Sequence, residues 1–205
     1  MSGGGLLIVE GLGLLGGRVA VYPEGRVLVI SGDRAIAAET ALPVRVERAF
    51  SVDCREVPED VVAAEVRSEG LLLVVRTREG EVLALGGEGL EALKLPPAEK
   101  WCGFPCSVLE KAARAMEGEW GFAGFELEGD LLAVSFNGLR WRAVLGGCSC
   151  SFKAEVNVHT LKKIHEAFKA AGLKPVSVAF NVSGRVVLMR LRGGWLTVYT
   201  AFATG

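Results

Sequence analysis

The chain has 205 residues, half of them hydrophobic and 23% charged. That composition excludes an intrinsically disordered chain and allows one large domain or two small ones. Its apolar runs are too short to span a bilayer, and its formal net charge of −1 conceals an acidic first half and a basic second half.

Residues 1–5 lack the basic side chains that open a signal peptide, so residues 6–10 read as a short apolar strand and a cytoplasmic protein is expected. Glutamine is absent, asparagine occurs three times, and arginine and glutamate carry most of the charge, which fits a thermophile. The first strand runs into Gly11-Leu12-Gly13-Leu14-Leu15-Gly16, a match to the dinucleotide fingerprint G-x-G-x-x-G, with Asp33 near the place of a ribose-binding acid. That mechanism needs a helix opening at the third glycine. The chain beyond Gly16 is instead β-branched: residues 18–22, a Pro23-Glu24-Gly25 turn, then residues 26–30. A glycine connector between strands is therefore the simpler reading. Ser31-Gly32-Asp33 turns the chain into a further strand over 35–42.

Pro43 opens a second unit with a strand over 44–52. Pro58-Glu59-Asp60 has the chemistry of a helix start, so residues 61–66 read as a short helix or a strand. A hairpin over 71–77 and 81–85 is expected around Glu79-Gly80, with one more strand over 90–95. Residues 95–100, with Pro96 and Pro97, form the best linker in the chain.

The second half repeats a strand–helix–three-strand unit. Over 158–171 a helix carries Leu161, Ile164, Phe168 and Ala171 on one face, with Asn157 as N-cap and Gly172 as stop. Lys162, Lys163, Glu166 and Lys169 point the other way. Shifting the chain by 55 residues places Phe180 on Phe125, Ile164 on Leu109, Ala167 on Ala112 and Lys169 on Arg114. It also places Gly184 on Gly129 and Gly193 on Gly138, as if each hairpin turn kept its glycine. The upstream helix opens at Pro105, turns Val108, Leu109, Ala112 and Met116 inward, and presents Lys111, Arg114 and Glu117. Trp120, Phe122 and Trp141 read as core or sheet-face aromatics.

Residues 1–98 hold 10 basic and 15 acidic side chains, whereas residues 151–205 hold 8 basic and 2 acidic. A basic segment suits a polyanion, and equally a solvated surface. Cys102, Cys106, Cys148 and Cys150 bracket one module, and Cys54 stands apart. Neither spacing is a zinc knuckle, and zinc, disulfides and free thiols all stay open. Asp53, Glu56, Glu59 and Asp60 cluster beside Cys54 as a helix-start charge group. His159 and His165, the latter near the buried helix face, read as structural, and no hydrolase, zincin or phosphate-loop motif occurs.

The run FKAEVNVHTLKKIHEAFKAAG at 152–172, with the glycine-turned strands up to Phe202, resembles a module of the DNA sliding clamps. The likeness is to the proliferating cell nuclear antigen type of archaea and eukaryotes. It implies an α+β fold of tandem βαβββ modules, clamp-like, with the N-terminal half mostly β. The domains would be 1–97, from modules 1–42 and 43–97, and 98–205, from modules 98–150 and 151–205. In that family basic helices line a hole around DNA and strands form the shell. Carried onto this chain, the DNA-facing positions are Lys162, Lys163, Lys169, Lys111 and Arg114.

The resemblance implies a non-enzymatic protein that encircles or associates with duplex DNA, or serves as a replication or repair scaffold, with no cofactor, no metal and no membrane. Homo-oligomers would form through edge strands, for which residues 195–202 are suited. A clamp-derived protein–protein scaffold without DNA binding is one alternative, and a dinucleotide-binding protein using Gly11 to Gly16 is another. The chain departs from the family in being shorter than a usual two-domain clamp and in its short linker.

Overall fold

The structure, a computed structural model, describes residues 17–31, 36–41, 48–53, 61–67, 72–86, 88–89, 101–144, 148 and 150–205. The chain divides into two compact units, residues Met1–Lys94 with Ala170–Gly172 and residues Leu95–Lys169 with Leu173–Gly205.

The Met1–Lys94 part of the first unit has only β-strands as regular elements among its described residues. Strands β1 (Arg18–Val21), β2 (Arg26–Ile30), β3 (Ile36–Ala41), β4 (Phe50–Asp53) and β8 (Glu88–Gly89) follow the order β8-β4-β1-β2-β3, antiparallel throughout. Gly25, at φ 79°, closes the β1–β2 hairpin. Val19, Ala20 and Val21 are all buried, as are Val27, Leu28 and Val29, so both faces of these strands are covered. That is why the sequence there runs apolar without alternating.

Strands β5 (Val61–Arg67), β6 (Leu72–Thr77) and β7 (Val82–Gly86) make a separate antiparallel sheet. Of the two readings of residues 61–66 the strand is the observed one: consecutive β-branched residues favour it over a two-turn helix. The strand readings at 6–10 and 90–95, the ends of that at 35–42, the first part of that at 44–52, the helix start at 58–60, the linker at 95–100, Cys54, and Glu56, Glu59 and Asp60 of the acidic group lie outside the described residues.

The second unit contains two βαβββ runs. The first is β9 (Cys102–Pro105), α1 (Ser107–Ala115), β10 (Phe122–Glu128), β11 (Leu131–Phe136) and β12 (Leu139–Val144). The second is β13 (Phe152–Asn157), α2 (Val158–Ala170), β14 (Ser177–Ser183), β15 (Val186–Gly193) and β16 (Leu196–Ala203). Pro105 ends β9 rather than starting the helix, as its fixed φ and missing N–H also allow at a strand end.

The two runs exchange their first strands. β13 pairs with β10, giving the order β12-β11-β10-β13, and β9 pairs with β14, giving β16-β15-β14-β9. Phe125, Leu127, Leu132, Val134, Phe152, Ala154 and Val156 fill the inner face of one sheet, and Phe104, Val178, Phe180, Val187 and Met189 that of the other.

The 55-residue shift holds from the C-terminal ends of the two helices to the starts of β11 and β15, with β10 starting at 122 and β14 at 177. It fails on either side. The helix α2 has 13 residues against 9 in α1, one extra turn, and β15 has 8 residues against 6 in β11. Gly193 is therefore not the counterpart of the turn residue Gly138. Gly138, at φ 80°, sits in the β11–β12 turn, whereas Gly193 ends β15 and pairs with Leu196. Glycine is needed at 193 for space: a Cβ would lie 2.2 Å from the Lys174 carbonyl oxygen.

Candidate nucleic-acid interface

Helix α2 is set by its ends and one apolar stripe. Asn157 Oδ1 accepts the backbone N–H of His159 at 2.8 Å, an N-cap, and Leu173 N–H returns to the Phe168 carbonyl at 2.9 Å across Gly172 at φ 66°. Val158, Ile164, Ala167 and Phe168 are buried. Helix α1 buries Val108, Leu109 and Ala112. Leu109 and Ala113 of α1 and Leu161, Ile164 and His165 of α2 line one cleft, so the helices are neighbours on the surface of this unit.

Burial on one stripe leaves the cations on the other. Lys162 and Lys169 are exposed on α2, and Lys111 and Arg114 are exposed on α1. Lys163 is half-buried and engaged with a neighbour. The exposed Glu166 and Glu117 and the half-buried Glu110 stand among them. Of the five cations named from the sequence, four therefore face solvent and one lies against the protein.

One sequence expectation is corrected here. Trp120 is 84% exposed and lies in no strand, so it is neither core nor sheet face, whereas Phe122 on β10 and Trp141 on β12 stand on sheet faces, exposed and half-buried. Trp120 stacks on His159 with ring centroids 6.3 Å apart and planes 10° off parallel, which sets an aromatic pair beside the first turn of α2. Gly118 at φ 80° and Gly121 at φ 128° form the turn that carries Trp120 outward, and these glycines were the available signal. His165 is exposed and, as expected, near the apolar face, since it lines the helix cleft beside Ile164.

The dinucleotide reading also fails. Residues 11–16 lie outside the described residues, but β1 begins at Arg18, so no helix opens at the third glycine to face a phosphate. The next glycine, Gly17, packs against β2: a Cβ there would lie 1.6 Å from the Ile30 carbonyl oxygen. Cys106 stands apart from the other three cysteines of the module. Cys106 lines the helix cleft, whereas Cys102 meets Cys150. Among the described residues no group of three or more His, Cys, Asp or Glu is placed to hold a metal ion, and no helix is long and apolar enough to cross a membrane.

No protein-family model and no curated protein matches the sequence. Solved structures do match. A protein assigned as a DNA polymerase III beta subunit from Eubacterium rectale aligns at a TM-score of 0.61 and 13% identity, over 97% of this chain and 63% of that one. The DNA polymerase sliding clamp from Bacillus subtilis aligns at a TM-score of 0.61 and 14% identity, with the same coverage. The fold is that of a DNA sliding clamp. The chain spans 63% of the length of each of these clamp structures. Both are bacterial, whereas the sequence pattern resembles the archaeal and eukaryotic type. At such identities the likeness speaks for the clamp fold alone.

Proposed function

We propose that this chain is a non-enzymatic, clamp-like protein that associates with duplex DNA through phosphate contacts from α1 and α2. The observation that carries the reading is the exposed cationic face, Lys162 and Lys169 on α2 beside Lys111 and Arg114 on α1, in a fold shared with structures named as polymerase clamps. Lysines on a helix neutralise phosphates without reading bases, which permits a protein to hold DNA and still move along it. The role needs no reacting group, only position and charge.

Two clamp-type domains, divided near the linker at 95–100, and homo-oligomers formed through edge strands belong to the same proposal. Residues 195–202, the stretch first suited to this, fall largely in β16, which is not an edge strand of its sheet, so that stretch is not the joining edge. Strand β12 ends its own sheet among the described residues and offers an edge instead.

Binding to a short duplex, followed by fluorescence anisotropy, tests the reading. Affinity is expected to fall steeply with salt, and the triple change Lys162→Glu, Lys163→Glu, Lys169→Glu to weaken it by about tenfold or more. Salt-independent binding, or a triple variant that binds like the parent, removes DNA from the account. A protein–protein scaffold without DNA is the second reading, favoured by Glu110, Glu117 and Glu166 near the cations and by the net charge of −5 over residues 1–98.

A further inference from the structure

A cluster of three thiols lies away from the cationic face and is independent of the DNA reading. Cys102 Sγ and Cys150 Sγ are 2.9 Å apart, and Cys148 lies close enough to both to interact with them. The arrangement is built, not incidental. Asp130, in the β10–β11 turn, accepts the Cys148 backbone N–H at 3.0 Å, and the neighbouring Gly129 N–H reaches Ser151 Oγ at 3.5 Å. These two bonds fix the segment carrying Cys150 to the β10–β11 turn. Cys102 is buried and Cys150 half-buried, so Cys150 meets solvent and Cys102 waits behind it.

We propose that Cys102 and Cys150 are a site of reversible oxidation, forming a disulfide that ties the start of β9 to the approach of β13. Those are the two strands exchanged between the modules, so the bond fastens one sheet to the other where each borrows a strand. The oxidant is a low-molecular-weight disulfide such as oxidised glutathione. The Cys150 thiolate attacks one of its sulfurs, forming a mixed disulfide and releasing one glutathione thiolate. The Cys102 thiolate then attacks Cys150 Sγ, closing the protein disulfide and releasing the second. Two protein thiols are oxidised, one glutathione disulfide is reduced, and the two protons end on the two glutathione molecules.

Burial, and secondly the bond to Cys102, pushes the Cys150 thiol up to about 12. The exchange is therefore slow at neutral pH, because the thiolate is the attacking species.

The full-length protein is incubated with oxidised glutathione, its free thiols are alkylated, and it is digested without reduction for mass spectrometry. The expected result is a peptide pair joined through Cys102 and Cys150, in a protein lighter by about 2 Da, the loss of two hydrogens. Cys148→Ser keeps the link. Cys150→Ser loses it, and with it the rise in unfolding temperature that oxidation confers on the parent. A stable glutathione adduct on Cys150, a link through Cys148 instead, or free Cys102 after prolonged oxidation overturns the assignment. The parent protein alone supplies these readouts if a variant fails to fold.

Discussion

Phe125 and Phe180 occupy equivalent places in the two modules of the second unit, and their rings meet edge to face, centroids 6.3 Å apart at 64°. Both are fully buried. Phe180 also touches Phe104 and Phe152, and Phe125 touches Phe202. The contact follows from the strand exchange: each ring stands on the second strand of its own module, beside the first strand of the other. The internal repeat thus packs against itself, and that packing carries α1 and α2 side by side.

Truncation at this contact should be costly. Phe180→Ala and Phe125→Ala are each expected to lower stability by about 3–5 kcal/mol, from lost burial and the cavity left behind. The double variant should cost less than the two together, since the rings share about 0.5–1.5 kcal/mol of aromatic contact. Urea unfolding of the four proteins measures this. Additive losses would show that the rings do not act as a pair.

Gly193 and Gly184 separate two reasons for glycine. At 184 the backbone has φ 60° and a Cβ meets nothing within 4 Å, so Gly184→Ala should cost about 1 kcal/mol of backbone strain. At 193 a Cβ meets backbone, the Lys174 carbonyl, which cannot swing away as a side chain could. Gly193→Ala should therefore cost more, about 1–3 kcal/mol or beyond. Comparable melting temperatures for the two variants would contradict this.

Asn157→Ala removes the cap of α2 and is expected to cost about 0.5–2 kcal/mol. Asn157→Asp should keep the cap and add a favourable charge at the helix N-terminus. Thermal melts of the two variants check the order, and equal destabilisation by both would deny the capping role.

The thiols set a pH dependence at the alkaline end. Burial, with the Glu110 carboxylate adding to it, pushes Cys106 up from 9.0 to about 12, and Cys148 rises to about 12 mainly through burial. The folded state holds these protons after the unfolded chain has released them, so stability is full below pH 9 and falls as pH rises toward 12. Denaturant midpoints between pH 8 and pH 11, on the order of that window, should decline in the parent and less steeply in Cys106→Ala. Parallel curves would remove Cys106 from the cause.

Much of the second unit is legible in the sequence because local chemistry and global fold agree. The 3/4 spacing of Ile164 and Phe168, the cap at Asn157 and the stop at Gly172 each point to the same helix. Gly25 and Gly80 announce their hairpins by positive φ. The strand exchange is not legible, since Phe152, Ala154 and Val156 alternate in the same way whichever strand lies beside them. The longer β15 is hidden because Gly193, required for space against Lys174, falls where the shift leads one to expect a turn glycine. Trp120 defeats a reading by residue type because large aromatics are usually buried, and the turn that exposes it outweighs that tendency. Cys102 and Cys150 are 48 residues apart, and only the tertiary fold could bring them together.

The most direct test of the DNA-associated clamp reading is lysine footprinting: acetylation of the protein with and without duplex DNA, mapped residue by residue by mass spectrometry. Lys153, on an exposed position of β13, and Lys174, beyond α2, are also exposed and serve as internal references. The account predicts that DNA protects Lys162, Lys169 and Lys111 and leaves Lys153 and Lys174 reactive. Protection confined to Lys153 and Lys174, or none at any lysine under conditions where duplex is bound, would contradict it.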